Sequence, residues 1–323
     1  VTGGAGFIGR GLIKHLLHDK TVKKIIIFDN FISSNKLDFE KFQKEKDENK
    51  KVLFFECDIT NLETMLLIEN QELHFDEIYH LASLASPIFY KKYPLETLEV
   101  GYLGTKNILE IARKHKSKVL FSSTSEVYGN PTVFPQHEDY LGNVNSFGER
   151  ACYDESKRVA ESLCYTYIKK YKVDVKIARI FNTYGPEMML NDGRIITEVI
   201  KNLINNTTLK IFGDGNQTRS CTFIDNTIDM LVKLMGSNCN IPVNIGNDEE
   251  LTINETINII ENVYRKYCDK ECKLKRENVK LTQDDPLKRC PCLKRNKEIL
   301  GETKYINIKD GILLTIQSFL IKK

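Results

Sequence analysis

Tyr153 and Lys157 stand four residues apart in RACYDESK, and Thr124 lies upstream in KVLFSSTSE, where an apolar run ends in four hydroxyl residues and Glu126. On a helix, that spacing puts a phenol and an ammonium on one face. A free phenol ionises near about pH 10 and is a poor base at neutral pH. A neighbouring ammonium stabilises the phenolate and lowers that value. A threonine hydroxyl at a strand end would meet the same substrate oxygen. The chemistry expected is removal of an alcohol proton while the carbinol carbon gives up its hydride. Taken singly the YxxxK pattern means little, since most such pairs are packing plus a solvated charge.

A hydride needs an acceptor, and the amino-terminal end supplies a candidate site for one. Gly3, Gly6 and Gly9 fall in TGGAGFIG, with Phe7 and Ile8 opening a helix. Glycines there allow a tight turn, close approach to a pyrophosphate and close helix–strand packing, and the helix terminus offers unpaired N–H groups to the phosphates. Asp29, followed by Asn30, closes the next strand. A carboxylate there accepts from the adenosine ribose and repels a 2′-phosphate, which favours NAD over NADP. Asp58 and Ile59 end the third strand on the adenine side. Leu81, Ala82 and Ser83 end the fourth with small residues along the cofactor's path.

These groups need a scaffold that gathers strand ends. Strand patterns over Lys24–Phe28, Val52–Cys57, Glu77–Leu81, Lys118–Ser122 and Asp174–Ile180 alternate with helical patterns over Ile8–Asp19, Asn61–Gln71, Thr97–His115 and Tyr153–Lys172. That rhythm predicts βαβ units and an α/β fold with a doubly wound parallel sheet. The lysine- and glutamate-rich stretch Lys36–Lys51 reads as a solvated helix or loop. From Thr183 the rhythm loosens. We expect a Rossmann domain over residues 1–181 and a smaller substrate-binding lobe over 182–323, with roughly 222–247, including a strand at Pro242–Ile245, returning to the first domain. Val1 opens directly onto a loop, so the first strand is expected to be truncated and chain is expected upstream.

Bulk properties exclude several classes. The 323 residues are 41% hydrophobic and 28% charged, ordinary for a globular protein, and a net charge of +3 with no basic aromatic stripe speaks against nucleic acid. No apolar run is long enough to cross a bilayer. Nine scattered cysteines suggest a reduced, cytoplasmic setting for this fragment. Secretory-pathway (Golgi) anchoring is the alternative if a leader precedes Val1. No metal is expected, because Cys268/Cys272 and Cys290/Cys292 lack a nearby histidine or second CxxC.

Together, TGGAGFIG, DNF, IYHLAS, STSEVYG, RACYDESKRVAE, ARIFNTYGP, NDGR, GNQTR, VNIGN and QDDPLKR resemble the extended short-chain dehydrogenase/reductase superfamily of nucleotide-sugar enzymes, and within it the UDP-glucuronate decarboxylases (UDP-xylose synthases). The resemblance runs the length of the chain. It implies tightly bound NAD, UDP-glucuronate as substrate, and a catalytic set of Thr124, Ser125, Glu126, Tyr153, Lys157 and Arg289. Tyr153 would take the C4 proton, and Glu126 and Arg289 would assist decarboxylation and reprotonation. Tyr90, Arg150, Asn182, Lys210, Phe212 and Arg219 map as substrate contacts.

The alternatives are an NDP-sugar 4,6-dehydratase, a 4-epimerase, or a non-catalytic NAD-binding regulator. Dehydratases place an aspartate where this chain has Ser125, and a serine is no acid for expelling a C6 hydroxyl. Two positions depart from the family pattern. Gly101 falls where relatives usually have an asparagine near the nicotinamide, and Cys290 replaces a basic residue. Relatives pair through a four-helix bundle. A homodimer would use Thr97–His115 and Tyr153–Lys172, with Val100, Leu103, Val159 and Leu163 as apolar candidates.

Overall fold

Three consecutive isoleucines, a phenylalanine and an aspartate make up β1 (Ile25–Asp29), with Ile27 and Phe28 almost wholly buried. Continuous apolar strands of this kind belong in parallel sheets covered on both faces. The computed structural model describes residues 1–46, 51–61, 64, 68, 73–268, 274–280 and 288–321. In it β1 pairs in parallel with β2 (Val52–Glu56). Beyond a gap, β3 (Glu77–His80), β4 (Lys118–Thr124), β5 (Val175–Ile180) and the strand Pro242–Ile245 pair in parallel in that order.

Val1 to Gly3 fill the gap. Thr2 bridges Phe28 on one side and His80 on the other, its N–H donating to Tyr79 O at 3.0 Å, while Gly3 N–H donates to Phe28 O at 2.8 Å. The residues expected to follow a truncated strand therefore occupy the central strand position. The order of connections reverses there, which in open α/β sheets is where ligands bind.

Both faces are covered. Leu12 and Ile13 of the first helix (Phe7–His18) and Met230 and Leu231 of the helix Ile224–Gly236 belong to the core that includes Ile27 and Val243. Ile108 and Leu109 from Thr105–His115, with Ala160 and Cys164 from Ala151–Tyr171, form the other core with Phe121 and Val175. Smaller sheets lie after β5. Thr208–Phe212 pairs with Lys275–Val279, and Thr218–Ser220 stands between Glu250–Thr252 and Lys288–Arg289. No helix among the described residues is long and apolar enough to cross a membrane.

Several expected boundaries move. β1 extends to Asp29 and β4 to Thr124, so the hydroxyl run belongs to the strand rather than following it. The solvated segment forms a helix at Lys36–Lys46. The helix expected over Thr97–His115 is three pieces. Pro94–Glu99 begins earlier, with proline in its first turn, Val100–Gly104 is a π-turn, and Thr105–His115 resumes the α-helix. The helix expected at Asn61–Gln71 falls largely outside the described residues, as do residues 283–287 of QDDPLKR and Cys272.

Candidate active site

The carboxyl ends of the sheet open into a cleft of 760 Å³. At its amino-terminal end the glycines are dictated by space. Gly3 has φ +68°, and a Cβ there would lie 2.7 Å from Ala82 N; one at Gly9 would lie 2.3 Å from Gly3 O. A Cβ on Gly6 would meet only Gly3 O, at 3.3 Å, so the loop's outer edge faces the cleft. Phe7 and Ile8 follow as the helix's first residues and line the same wall.

Asp29 accepts from Ala5 N–H at 2.9 Å and Phe31 N–H at 2.9 Å. Burial pushes its carboxyl up, opposed by those bonds and by Arg10. Asn30 Nδ2 donates to Asp58 Oδ2 at 2.9 Å, and Ile59, Leu81, Ala82 and Ser83 complete the lining. A carboxylate has about four acceptor sites, so Asp29 and Asp58 retain capacity for hydroxyl or amine donors. A glycine edge that a Cβ would fill, a helix terminus and two carboxylates on strand ends fit a dinucleotide.

At the other end, Thr124 closes β4 and its Oγ1 accepts from Glu126 N–H at 3.3 Å, capping the 3₁₀ turn Ser125–Tyr128. The Thr124 side chain opposes the rise that burial imposes on the Tyr153 phenol. The Tyr153 ring stacks on Tyr90, with centroids 5.3 Å apart and planes at 10°. Tyr90 lines the cleft with a buried hydroxyl that has no hydrogen-bond partner among the described residues.

The relation of Tyr153 to Lys157 differs from expectation. Lys157 Nζ donates to Ser122 O at 2.7 Å, and burial pushes its pKa down to about 7. Burial pushes the Tyr153 phenol up, with Thr124 as the main opposing influence. Helical spacing places the two on one side, and the lysine reaches across to the end of β4.

Glu126 is the focus of charge. Arg289 Nη1 contacts Oε1 at 2.7 Å and Nη2 donates to Oε2 at 2.9 Å, while Arg150 Nη2 donates to the same Oε2. Burial alone would raise this carboxyl, but Arg289 and Arg150 hold it below the usual range, with Arg219 adding to them. Ser125 is buried beside it. Asp154, behind Arg150, is pushed up to about 7 by burial and by Glu126, and its Oδ1 has no hydrogen-bond partner among the described residues. Asn182, Lys210, Phe212 and Arg219 line the far wall, Lys210 and Phe212 on the exposed face of the strand Thr208–Phe212 and Arg219 buried.

The sequence pattern of the NAD dependent epimerase/dehydratase family covers residues 1–246. UDP-glucuronic acid decarboxylase 1 of Danio rerio is 38% identical over 322 residues, 99% of this chain and 72% of the relative. UDP-glucuronic acid decarboxylase 3 of Arabidopsis thaliana is 37% identical over 322 residues, 100% of this chain and 89% of the relative. This chain belongs to the UDP-glucuronic acid decarboxylases of the NAD dependent epimerase/dehydratase family. Among solved structures, a UDP-glucuronic acid 4-epimerase from Bacillus cereus, in complex with UDP-glucuronic acid and NAD, matches with TM-score 0.85 at 25% identity, covering 100% of this chain and 98% of that one. A UDP-N-acetylglucosamine 4-epimerase from Methanobrevibacter ruminantium shares the fold, with TM-score 0.86 at 21% identity over 100% and 97% of the two chains.

The decarboxylase cleft also contains residues that spacing did not select. Arg10, one position past the glycine loop, contacts Glu187 Oε2 at 3.1 Å and donates to Glu187 O at 2.6 Å. Asp192 and Arg194 pair at 3.3 Å in NDGR, and Ser86 Oγ donates to Asp192 O at 2.8 Å. NDGR stood out as a motif, yet nothing local said that its charges face the cleft. Cys290 sits on a clamp, its N–H donating to Gln136 Oε1 at 2.8 Å and its carbonyl accepting from Gln136 N–H at 2.9 Å. That clamp uses backbone groups, so a basic side chain is dispensable to it.

Proposed function

We infer that this protein converts UDP-glucuronate to UDP-xylose and carbon dioxide, with NAD as a recycled cofactor. The observation that carries the reading is Glu126 held ionised between Arg150 and Arg289 with Ser125 beside it. Neither group can protonate a departing C6 hydroxyl, so the Thr124–Glu126 segment is built for loss of a carboxylate and not of water.

Gly3, Gly6, Phe7, Ile8, Gly9, Asp29, Asn30, Asp58, Ile59, Leu81, Ala82 and Ser83 would hold NAD, with Tyr153 and Lys157 at its reactive end. When bound, NAD supplies a two-electron acceptor for the sugar C4 carbon and returns the pair at the end of the cycle. Tyr153 takes the C4 hydroxyl proton, with Thr124 fixing the phenol's direction. Lys157, near its protonation midpoint at neutral pH, supplies the positive field that a buried phenolate needs. The 4-keto sugar carries its carboxylate β to the ketone, so loss of carbon dioxide leaves a ketone-stabilised enolate. A proton taken from water at C5 and return of the Tyr153 proton to the C4 oxygen complete UDP-xylose. Glu126, as an ion, works by fixing the two guanidiniums beside the substrate carboxylate rather than by giving up a proton itself. Tyr90 and Asn182 contact the sugar, Lys210 and Arg219 the diphosphate, and Phe212 the uracil side.

Residues 1–181 form the NAD-binding domain and 182–323 the substrate lobe in this reading, with 222–247 returning, in keeping with Pro242–Ile245 pairing on β5. A homodimer through a four-helix bundle belongs to the same proposal. Leu98, Tyr102, Leu103, Val159 and Tyr165 are exposed apolar or aromatic residues on the two expected helical segments. Val100 and Leu163 instead pack against their own core.

The test is UDP-glucuronate and NAD with the purified protein, followed by mass spectrometry. A product lighter by one carbon dioxide is expected. Loss of water from an NDP-hexose would identify a dehydratase, and unchanged mass with inverted C4 a 4-epimerase.

A further inference from the structure

Gly101 lies in the π-turn Val100–Gly104, and its back is closed by the helix that carries Tyr153 and Lys157. A Cβ at Gly101 would stand 2.5 Å from Ser156 Cβ, 2.8 Å from Ser156 O and 3.0 Å from Ser156 Cα. Contacts below 3.0 Å to a Cβ and to backbone leave no flexible group to yield, so the helix itself would have to shift. Ser156 is 1% exposed, and its Oγ donates to Tyr153 O at 2.7 Å. It therefore sits between the two functional residues of its helix and is hydrogen-bonded to one of them. On the other side of the turn, Val100 lines the cleft, and Gly104 has Ile59 Cδ1 at 3.0 Å from where its Cβ would be.

The turn is thus a spacer pressed between the cleft wall and Ser156. π-Turns inside α-helices are rare and collect at functional sites. We propose that Gly101 is a positioning residue: by admitting Ser156 against the π-turn backbone, it sets the depth at which the Tyr153–Lys157 face meets the end of β4. The hydrogen bond from Lys157 Nζ to Ser122 O at 2.7 Å registers that depth. A displacement of about 1 Å at a reacting group costs on the order of 10²-fold in rate, so a Cβ at Gly101 is felt at the chemistry without touching it. Gly101 and Ser156 also form a matched pair, since the space that one lacks the other fills.

Helix propensity alone predicts the opposite sign. Alanine is favoured over glycine in a helix interior, so in an unconstrained helix Gly101→Ala would stabilise the protein and leave turnover alone. The experiment compares the parent, Gly101→Ala, Ser156→Gly and the double variant in steady-state kinetics with UDP-glucuronate, and titrates each with NAD by calorimetry. The kinetic arm rests on the decarboxylase reading; the calorimetric arm does not. In Gly101→Ala we expect kcat to fall at least about ten-fold with KM for UDP-glucuronate within about three-fold, and NAD affinity to drop several-fold. Adding Ser156→Gly should recover several-fold of each loss, incompletely because the Ser156 backbone contacts remain. If Gly101→Ala does not fold, a folded double variant with measurable NAD binding supports the pairing, and a double variant that is also unfolded overturns it. Unchanged kcat and NAD affinity in Gly101→Ala, or losses that Ser156→Gly leaves untouched, likewise overturn it. A parent that binds NAD but leaves UDP-glucuronate intact would remove the functional reading while the calorimetric comparison still decides this one.

Discussion

At the scale of single residues the site is a set of groups whose charge states are fixed by burial. Tyr153 must act as a phenolate against the rise that its burial imposes, and Tyr153→Phe should lower kcat by about 10²–10⁴-fold, the usual worth of a positioned acid–base group. NAD binding should be retained, and a variant that turns over at the parent rate would remove Tyr153 as the base. Asp154 gives a pH prediction. Its folded pKa is raised to about 7 from an ordinary 3.8, chiefly by burial. Folded protein therefore holds this proton more tightly than unfolded protein, and the resulting stability is present below pH 4 and lost as pH rises through about 7. Asp154→Asn has no charge to bury, so its melting temperature should exceed the parent's at pH 8 and approach it at pH 5. Equal differences at both pH values would contradict the assignment.

At the scale of elements, contacts between distant segments decide geometry. Arg10, 8% exposed in its side chain, joins the helix after the glycine loop to Glu187, which has φ +74° just past Gly185-Pro186. Removing Glu187 would leave the buried Arg10 charge short of its partner, which is costly. Arg10→Met, Glu187→Gln and the double variant, unfolded in urea, should give a coupling energy of about 0.5–3 kcal/mol; additive losses would mean that the pair carries no mutual energy. The same scale explains what was legible in advance. The glycine spacing, Asp29, Asp58 and the hydroxyl run of β4 could all be read in sequence, because strand ends and tight turns impose residue types locally. The π-turn at Val100–Gly104 could not, because Ser156, against which Gly101 packs, belongs to another helix.

For the whole molecule the open question is assembly. Leu98, Tyr102, Leu103, Val159 and Tyr165 expose apolar and aromatic surface on helices that also carry the active site. If these faces pair, Leu103→Glu with Val159→Glu should convert a dimer to a 37.3 kDa species in sedimentation and lower kcat as the catalytic helix loses support. A parent that already sediments at that mass would sink the four-helix interface.

The sequence by itself determined the parallel sheet and singled out the glycine loop, its acidic strand ends and the Tyr153, Lys157 and Thr124 set as candidates, because periodicity and strand-end chemistry are properties of short stretches. Only the tertiary structure decided that Glu126 and Arg289, 163 residues apart, meet with Arg150 as one ionised cluster. It also decided that Lys157 reaches Ser122 and that Val1–Gly3 complete the sheet. Protonation followed the same division: residue type sets an ordinary pKa, but desolvation and opposing charge depend on which distant segments close over the group, and these moved Lys157 down and Tyr153 and Asp154 up.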